Sequence, residues 1–429
     1  MPIVEFLNVE GHRLLINTRR EAISILADNE LALNYDGEGR MTGAWIDGRN
    51  YLRSLDNHIV EKQEGPRPGL SYRVRRELSS EQGRRLLSRV YGLVRGYREM
   101  VDNPGTKVLN EAPPAECRQA RQSLDYILAC EPTRLENESE QFHRIYKPIN
   151  ILPPDQYMAL VLQATEGCSY NRCTFCGFYR DRSFRIKPLD EFKQHIGDVR
   201  QLVASGIQLR RSIFLADANA LVIPQDQLLP LFDTVNSEFE FEPPHLKREA
   251  LETWKAKHPV YMKGIYSFID AFTTRRKTAG DFAELAARGL RRVYIGLESG
   301  DEEVLKFLGK PNSPEDVLQL AREVKAGGVA VGLIILAGAG GANLAKAHVQ
   351  HTAEIINAMP VDADDLVYFS ELIDYPGSNY SALARERDIR PLSVEEIGQQ
   401  MEQMRAGLHF RDPEHAPKVS YYDVREFIY

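Results

Sequence analysis

The hydrophobic pattern of the chain changes character near residue 150. Before it, short runs alternate apolar and polar positions. Val4-Glu5-Phe6-Leu7 and Arg13-Leu14-Leu15-Ile16 flank Glu10-Gly11, and residues 31–35 and 41–46 flank Asp36-Gly37-Glu38-Gly39. Period-two runs around Gly and Asp turns predict short strands and a hairpin. Ser79-Ser80-Glu81-Gln82 then opens a helix-period stretch that reaches residue 101 and stops at Asn103-Pro104-Gly105. A hydroxyl cap with Gln three places on is a helix start. Pro113-Pro114 opens a second helix that ends near Cys130 and Pro132. Residues 133–150 are predicted as a polar linker.

From residue 151 the pattern becomes strand, helix, strand. Apolar runs at 157–164, 211–216, 261–268, 292–297, 330–336 and 366–372 predict strands. Helix-period stretches at 188–204, 225–237, 279–288, 301–308, 314–326 and 343–358 lie between them. Such alternation implies βαβ crossovers and a parallel sheet. Six units predict an α/β fold, a partial (β/α)6 TIM-like barrel rather than a small doubly wound sheet. The expected division is an accessory N-terminal α/β domain with its linker over 1–150, the barrel over 151–375, and a helical capping extension over 376–429. A barrel of this kind carries its site at the C-terminal ends of the strands.

Composition narrows the class. Of 429 residues 43% are hydrophobic and 27% charged, which is ordinary for a soluble globular protein. A net charge of −7 argues against wholesale coating of nucleic acid, which needs a basic surface. The N-terminal MPIVEFLNVEGHR lacks a long apolar core, so no signal peptide is expected. Residues 327–345 carry no charge and have the length of a membrane span. They also hold six glycines and a single aliphatic block, which predicts a buried parallel strand and a Gly-rich loop instead.

The chemistry concentrates in Gly167-Cys168-Ser169-Tyr170-Asn171-Arg172-Cys173-Thr174-Phe175-Cys176, which follows the first barrel strand. Three of five cysteines sit there in C-x4-C-x2-C spacing, which suits a reducing compartment and a cytoplasmic location. Three thiolates are one short of a closed zinc site. A [4Fe–4S] cluster held by three cysteines keeps one iron open to a ligand. The zinc reading needs a distant fourth ligand, such as His195 or Cys130, and no second C-x2-C exists. Unliganded core thiols fit poorly with Asn171 and Arg172 in the same loop. The loop therefore favours an open cluster.

At these residues the chain resembles the radical S-adenosylmethionine (radical SAM) superfamily. That family places a C-x3-C-x2-C loop after the first strand of a partial (β/α)6 barrel. Here the first gap is four residues, as in a subset whose loop reads GCSxNRCxFC before an FRxKP-like stretch; this chain has Phe184-Arg185-Ile186-Lys187-Pro188. The likeness covers about residues 155–375. It implies a [4Fe–4S] cluster on Cys168, Cys173 and Cys176, with S-adenosyl-L-methionine (SAM) bound to the free iron. Reductive cleavage of SAM would give a 5′-deoxyadenosyl radical that abstracts hydrogen from a substrate. An oxygen-sensitive metal-binding site and a reductant such as flavodoxin or ferredoxin are also implied.

The resemblance assigns further positions at strand ends. Phe175 would pack near the adenine, or serve as a core aromatic. Asp217 and Asn219, in Ala216-Asp217-Ala218-Asn219, offer acceptors for the SAM ammonium; the plainer reading is a turn that caps the next helix. Glu298 would accept the ribose hydroxyls, with Ser299 beside it, though Ser299 also suits a helix cap. Gly338, in Ala337-Gly338-Ala339-Gly340-Gly341, would let backbone approach the adenine edge. No catalytic residue is assigned. The absence of an Asp-x-His-x-x-Gly pattern disfavours cobalamin-dependent methylation. The absence of another cysteine cluster disfavours methylthiolation and auxiliary-cluster peptide maturation. The loop spacing also departs from that of oxygen-independent coproporphyrinogen oxidase. A small-molecule substrate is expected over a nucleic acid. Two alternatives stay open: SAM cleavage with aminocarboxypropyl transfer, and a non-catalytic iron–sulfur binding or electron-transfer protein.

Other clusters receive plainer readings. His348 and His351 are expected on a solvated or rim face of their helix. Arg73, Arg75, Arg76, Arg84, Arg85 and Arg89 are interleaved with acids and read as a solvated face. Cys117 and Cys130 read as core thiols. The aromatic C-terminal segments 409–412 and 421–427 either pack as a tail or close the open side of the barrel.

Overall fold

A computed structural model describes residues 3–19, 21–63, 74–130, 132–244, 246–273, 277–373 and 378–429. The chain divides into two units. The first holds residues 1–149, 197–210 and 428–429; the second holds 150–196 and 211–427.

The first unit is built on a nine-stranded antiparallel sheet whose eight longer strands follow one another in chain order from Ile3–Leu7 to Val74–Glu77. Alternating burial along Ile3–Leu7, Arg13–Thr18 and Ala22–Ala27 follows the period-two pattern of the sequence. Phe6, Leu14, Ile16, Ile25 and Leu33 form one core with Leu87, Val90 and Val94 of the helix Ser80–Asp102. Leu124 and Ile127 of the helix Pro114–Ala129 join the same core. Ser79 caps the first of these helices in a capping box with Gln82.

The expected linker is instead largely a helix, Pro132–Ile145. Its polar composition hid two buried anchors, Leu135 and Phe142, two turns apart. An i,i+4 contact between Arg134 and Glu138 at 2.9 Å supports the exposed side. Cys117 and Cys130 are buried in the core. Arg76 pairs with Glu61, Arg84 with Glu136, Arg85 with Glu81 and Arg89 with Asp47, so these arginines are neutralised locally. Arg73 lies outside the described residues.

The second unit is a seven-stranded, wholly parallel sheet. Its strands are β1 (Ala159–Gln163), β2 (Ser212–Ala216), β3 (Ile265–Ile269), β4 (Leu290–Glu298), β5 (Ala330–Ala337), β6 (Leu366–Glu371) and β7 (Lys418–Tyr422), in that order. Helices occupy every crossover, and the first two strands are buried at all positions, as a sheet covered on both faces requires. The uncharged stretch near residue 330 is β5, and among the described residues no helix is long and apolar enough to cross a membrane.

Six strands were expected; the seventh comes from the C-terminal segment, which pairs in register with β6 from Leu366↔Lys418 to Ser370↔Tyr422. Its sequence, KVSYY, is too short to stand out by periodicity. The expected boundary at residue 375 lies outside the described residues. Asp155, ahead of β1, accepts hydrogen bonds from Tyr294 at 2.5 Å, Tyr368 at 2.9 Å and Arg292 at 2.9 Å. These contacts close the end at which the strands begin, and leave the C-terminal ends for a cavity.

Candidate functional site

The cysteine run leaves β1 through a clasp. Thr165–Glu166 pairs antiparallel with Arg185–Ile186, so the intervening loop starts and finishes at one place. Glu166 receives Arg185 in a two-pronged pair at 2.7 and 2.8 Å, with Lys187 at 3.6 Å. This gives the Phe184–Pro188 stretch a structural task. Gly167 has φ +75° and a Cβ there would meet the Ser183 carbonyl oxygen at 3.1 Å, so the turn into the loop needs glycine. Its N–H donates to Asp217 Oδ2 at 3.0 Å.

A second brace comes from the segment after the helix Glu302–Phe307. Thr174 N donates to the Leu308 carbonyl at 2.9 Å, Thr174 Oγ1 to the Phe307 carbonyl at 3.1 Å, and Tyr170 OH to the Gly309 carbonyl at 2.7 Å. Arg180 Nη2 donates to the Cys173 carbonyl at 3.0 Å. The loop is irregular in shape but held by named bonds at most turns.

One open cavity lies at the C-terminal ends of the strands, lined by residues of β3 to β7 and of the loops that follow β1 and β2. Cys168, Cys173 and Cys176 line it, with Phe175 beside them; Asn219 follows β2, Asp270 follows β3, and Glu298 ends β4. Leu336 of β5, Leu372 beyond β6 and Tyr422 of β7 complete its apolar side. Of the expected residues, Phe175, Asn219, Glu298 and the three cysteines therefore share one space. Asp217, Ser299 and Gly338 are not in its lining.

Those three residues have other partners. Asp217 is buried under the loop, holding Gly167, and its own N–H donates to Thr165 Oγ1 at 2.8 Å. Burial pushes its carboxyl up to about 6, against the pull of Arg182 and the Gly167 N–H. Ser299 Oγ pairs with His348 Nδ1 at 2.8 Å and accepts the Asp301 N–H at 2.9 Å. Gly338, at φ +89°, donates to Gln400 Oε1 at 2.7 Å.

His348 corrects a sequence expectation, because it is fully buried and not on a solvated face. Its Nε2 contacts the Leu336 carbonyl at 3.1 Å, which can only accept, so Nε2 carries the proton and Nδ1 accepts from Ser299. His351 sits nearer the rim and pairs with Asp301 at 2.7 Å.

Two residues that sequence reasoning missed also line the cavity, Lys310 and Asp270. Lys310 Nζ donates to Glu298 Oε1 at 3.2 Å and to the Gly296 carbonyl, with both side chains buried. Burial works to lower the Lys310 pKa, but the negative charge of Glu298 outweighs it and the pKa is raised. Asp270 accepts the Thr273 N–H at 2.6 Å through Oδ1 and the Asn219 amide at 2.7 Å through Oδ2. The only sequence signal was position: Asp270 directly follows an apolar run, and Lys310 stands between a Gly helix stop and Pro311.

The donor set fits an iron–sulfur cluster with SAM beside it. Among the described residues no three His, Cys, Asp or Glu side chains are grouped so as to hold a metal ion. A cubane makes a different demand, since each thiolate binds its own iron. Burial pushes the Cys173 thiol up to about 12 and Cys176 to about 11, and also raises Cys168. Iron would reverse this by binding the thiolate form. Asn219 Oδ1 is buried at the cavity without a hydrogen-bond partner, and so is available to an ammonium donor.

Residues 233–351 match the family model of the radical SAM superfamily. The matched stretch contains β3 to β5 and not the cysteine loop. One curated relative is a 4′-phospho-dehydrooxetanocin synthase from Priestia megaterium, 26% identical over 174 residues, which is 40% of this chain and 22% of that protein. The alignment therefore spans about a fifth of the relative's length. Among solved structures, coproporphyrinogen III oxidase from Escherichia coli shows 15% identity over 58% of this chain and 51% of that one, with a TM-score of 0.38. The radical SAM methyltransferase TsrM from Kitasatospora setae, solved with cobalamin and a [4Fe–4S] cluster, shows 17% identity over 53% and 37%, with a TM-score of 0.37.

Proposed function

We propose that this chain is a radical SAM enzyme in which Cys168, Cys173 and Cys176 hold a [4Fe–4S] cluster and the barrel rim holds SAM against it. The observation that carries this reading is the shared cavity. Three thiols, the orphan Asn219 Oδ1 and the Glu298 carboxylate line one space at the C-terminal ends of a parallel sheet. When bound, the cluster supplies the single electron that cleaves SAM to methionine and a 5′-deoxyadenosyl radical, which takes hydrogen from the substrate.

The side chains of this chain do the placing. Asn219 Oδ1 accepts from the SAM ammonium, while its amide is held by Asp270 and Thr273. Glu298 accepts from the ribose hydroxyls, and Phe175 packs by the adenine. Asp217 anchors the cysteine loop, Ser299 braces the turn after Glu298, and Gly338 keeps the end of β5 free of a side chain. Phe268, Tyr294, Leu336 and Tyr422 form apolar walls that keep water from a reactive species. The substrate in this reading is a small molecule. A cytoplasmic location, sensitivity to oxygen and reduction by a flavodoxin or ferredoxin belong to the same proposal.

The test is anaerobic incubation of the reconstituted protein with dithionite and SAM. The expected product is 5′-deoxyadenosine. 5′-Methylthioadenosine would move the assignment to aminocarboxypropyl transfer, and no consumption of SAM would overturn the enzymatic reading.

A further inference from the structure

Lys310 and Glu298 approach each other from different elements. Glu298 ends β4 at φ +59°, where the pairing with β5 shifts register. That bulge turns its carboxylate back across the strand end, toward Gly296. The fold-back is possible because residue 296 has no side chain: a Cβ there would sit 2.2 Å from Glu298 Oε1. Lys310 completes the arrangement, bonding both the carboxylate and the Gly296 carbonyl. The peptide segment just before Lys310 is the one that braces Tyr170 and Thr174 of the cysteine loop. One short segment thus touches both the loop that carries the thiols and the carboxylate that lines the same cavity.

We propose that Lys310 is a positioning residue for SAM: it fixes the Glu298 carboxylate at the cavity wall, at a distance set by the same segment that holds the cysteine loop. The proposal rests on the reading of the cavity as a SAM site. Lys310 acts through Glu298. A buried carboxylate deprived of its cation either takes up a proton or turns toward water, and in both cases it stops accepting from the ribose. Gly296 belongs to the same device, as the position that leaves room for the carboxylate.

The test is a SAM titration of the reduced, reconstituted cluster by electron paramagnetic resonance, with iron content measured on each sample. The proteins are wild type, Lys310→Met, Glu298→Gln, the double variant, and Gly296→Ala. Gly296→Ala keeps both charges and displaces the carboxylate sterically. Each single variant is expected to keep its iron and to bind SAM about tenfold more weakly or worse. The double variant should bind no more weakly than the poorer single one, the mark of two residues acting as a unit. Wild-type affinity in either Lys310→Met or Gly296→Ala would overturn the proposal. So would losses that multiply in the double variant, because Lys310 would then contact SAM on its own. If Lys310→Met fails to fold, Lys310→Gln takes its place in the same titration, with the same two outcomes. A wild-type cluster that ignores SAM would instead contradict the underlying reading, and the two failures are distinguishable.

Discussion

His348 shows how far a single side chain can depart from its sequence reading. Spacing on a helix suggested a rim residue, yet the ring is buried between Ser299 and the Leu336 carbonyl. Burial lowers its pKa to about 4, below the usual value near 6.5. The folded state then binds fewer protons than the unfolded chain between those values, so its stabilising contribution is present above pH 6.5 and is lost as pH falls toward 4. The full effect is roughly 3 kcal/mol. Urea midpoints measured from pH 7 to 4.5 should therefore fall less steeply for His348→Gln than for wild type. Parallel profiles would show that the ring is already charged in the native protein. That the cysteines, Glu298 and Asn219 would meet at one cavity was legible because residue type and strand-end position agree. Lys310 and Asp270 were not, because a lone Lys or Asp carries no spacing signal and only the fold reveals its partners.

At the scale of elements, the cysteine loop depends on the turn that follows the helix Glu302–Phe307. Gly309 takes φ +69°, and a Cβ there would meet Thr174 Cγ2 at 3.2 Å and the Arg172 carbonyl at 3.3 Å. Gly309→Ala should destabilise this turn by about 1 kcal/mol or more and reduce the iron retained after reconstitution. Iron and denaturation midpoints equal to wild type would remove this segment from the account. The barrel strands β1 to β6 could be read from the sequence because each has an apolar run between helix-period stretches, buried at every position in β1 and β2. The helix Pro132–Ile145 and strand β7 could not. The helix buries Leu135 and Phe142 among many charges, and the strand is set by pairing with β6 rather than by its own pattern.

At the scale of the whole molecule, the first unit is not a contiguous stretch of chain. Arg40 is almost fully buried and pairs with Asp36 at 2.7 Å, and it also donates to the Leu202 and Val203 carbonyls at 2.9 and 2.7 Å. Glu38 accepts the Ser205 N–H at 2.9 Å. A fragment ending at residue 149 lacks these partners and uncovers the Arg40 guanidinium, which keeps Asp36 and Glu138 but loses two carbonyl acceptors, a loss of about 1–3 kcal/mol. Such a fragment should melt well below the same unit within the full chain, or fail to fold. Equal melting of the two would refute the role given to residues 197–210.

The parallel sheet with a cavity at its C-terminal ends was foreseeable from alternating strands and helices. The return of residues 197–210 to the first unit was not, because nothing in a helix sequence announces which core its far end joins. The central claim is an open cluster that receives SAM, and electron paramagnetic resonance of the reduced, reconstituted protein tests it most directly. A [4Fe–4S]⁺ signal whose g-values shift on adding SAM, absent from Cys168→Ala, Cys173→Ala and Cys176→Ala, is the expected result. A signal that SAM leaves unchanged, or one that persists in any of those three variants, would contradict it.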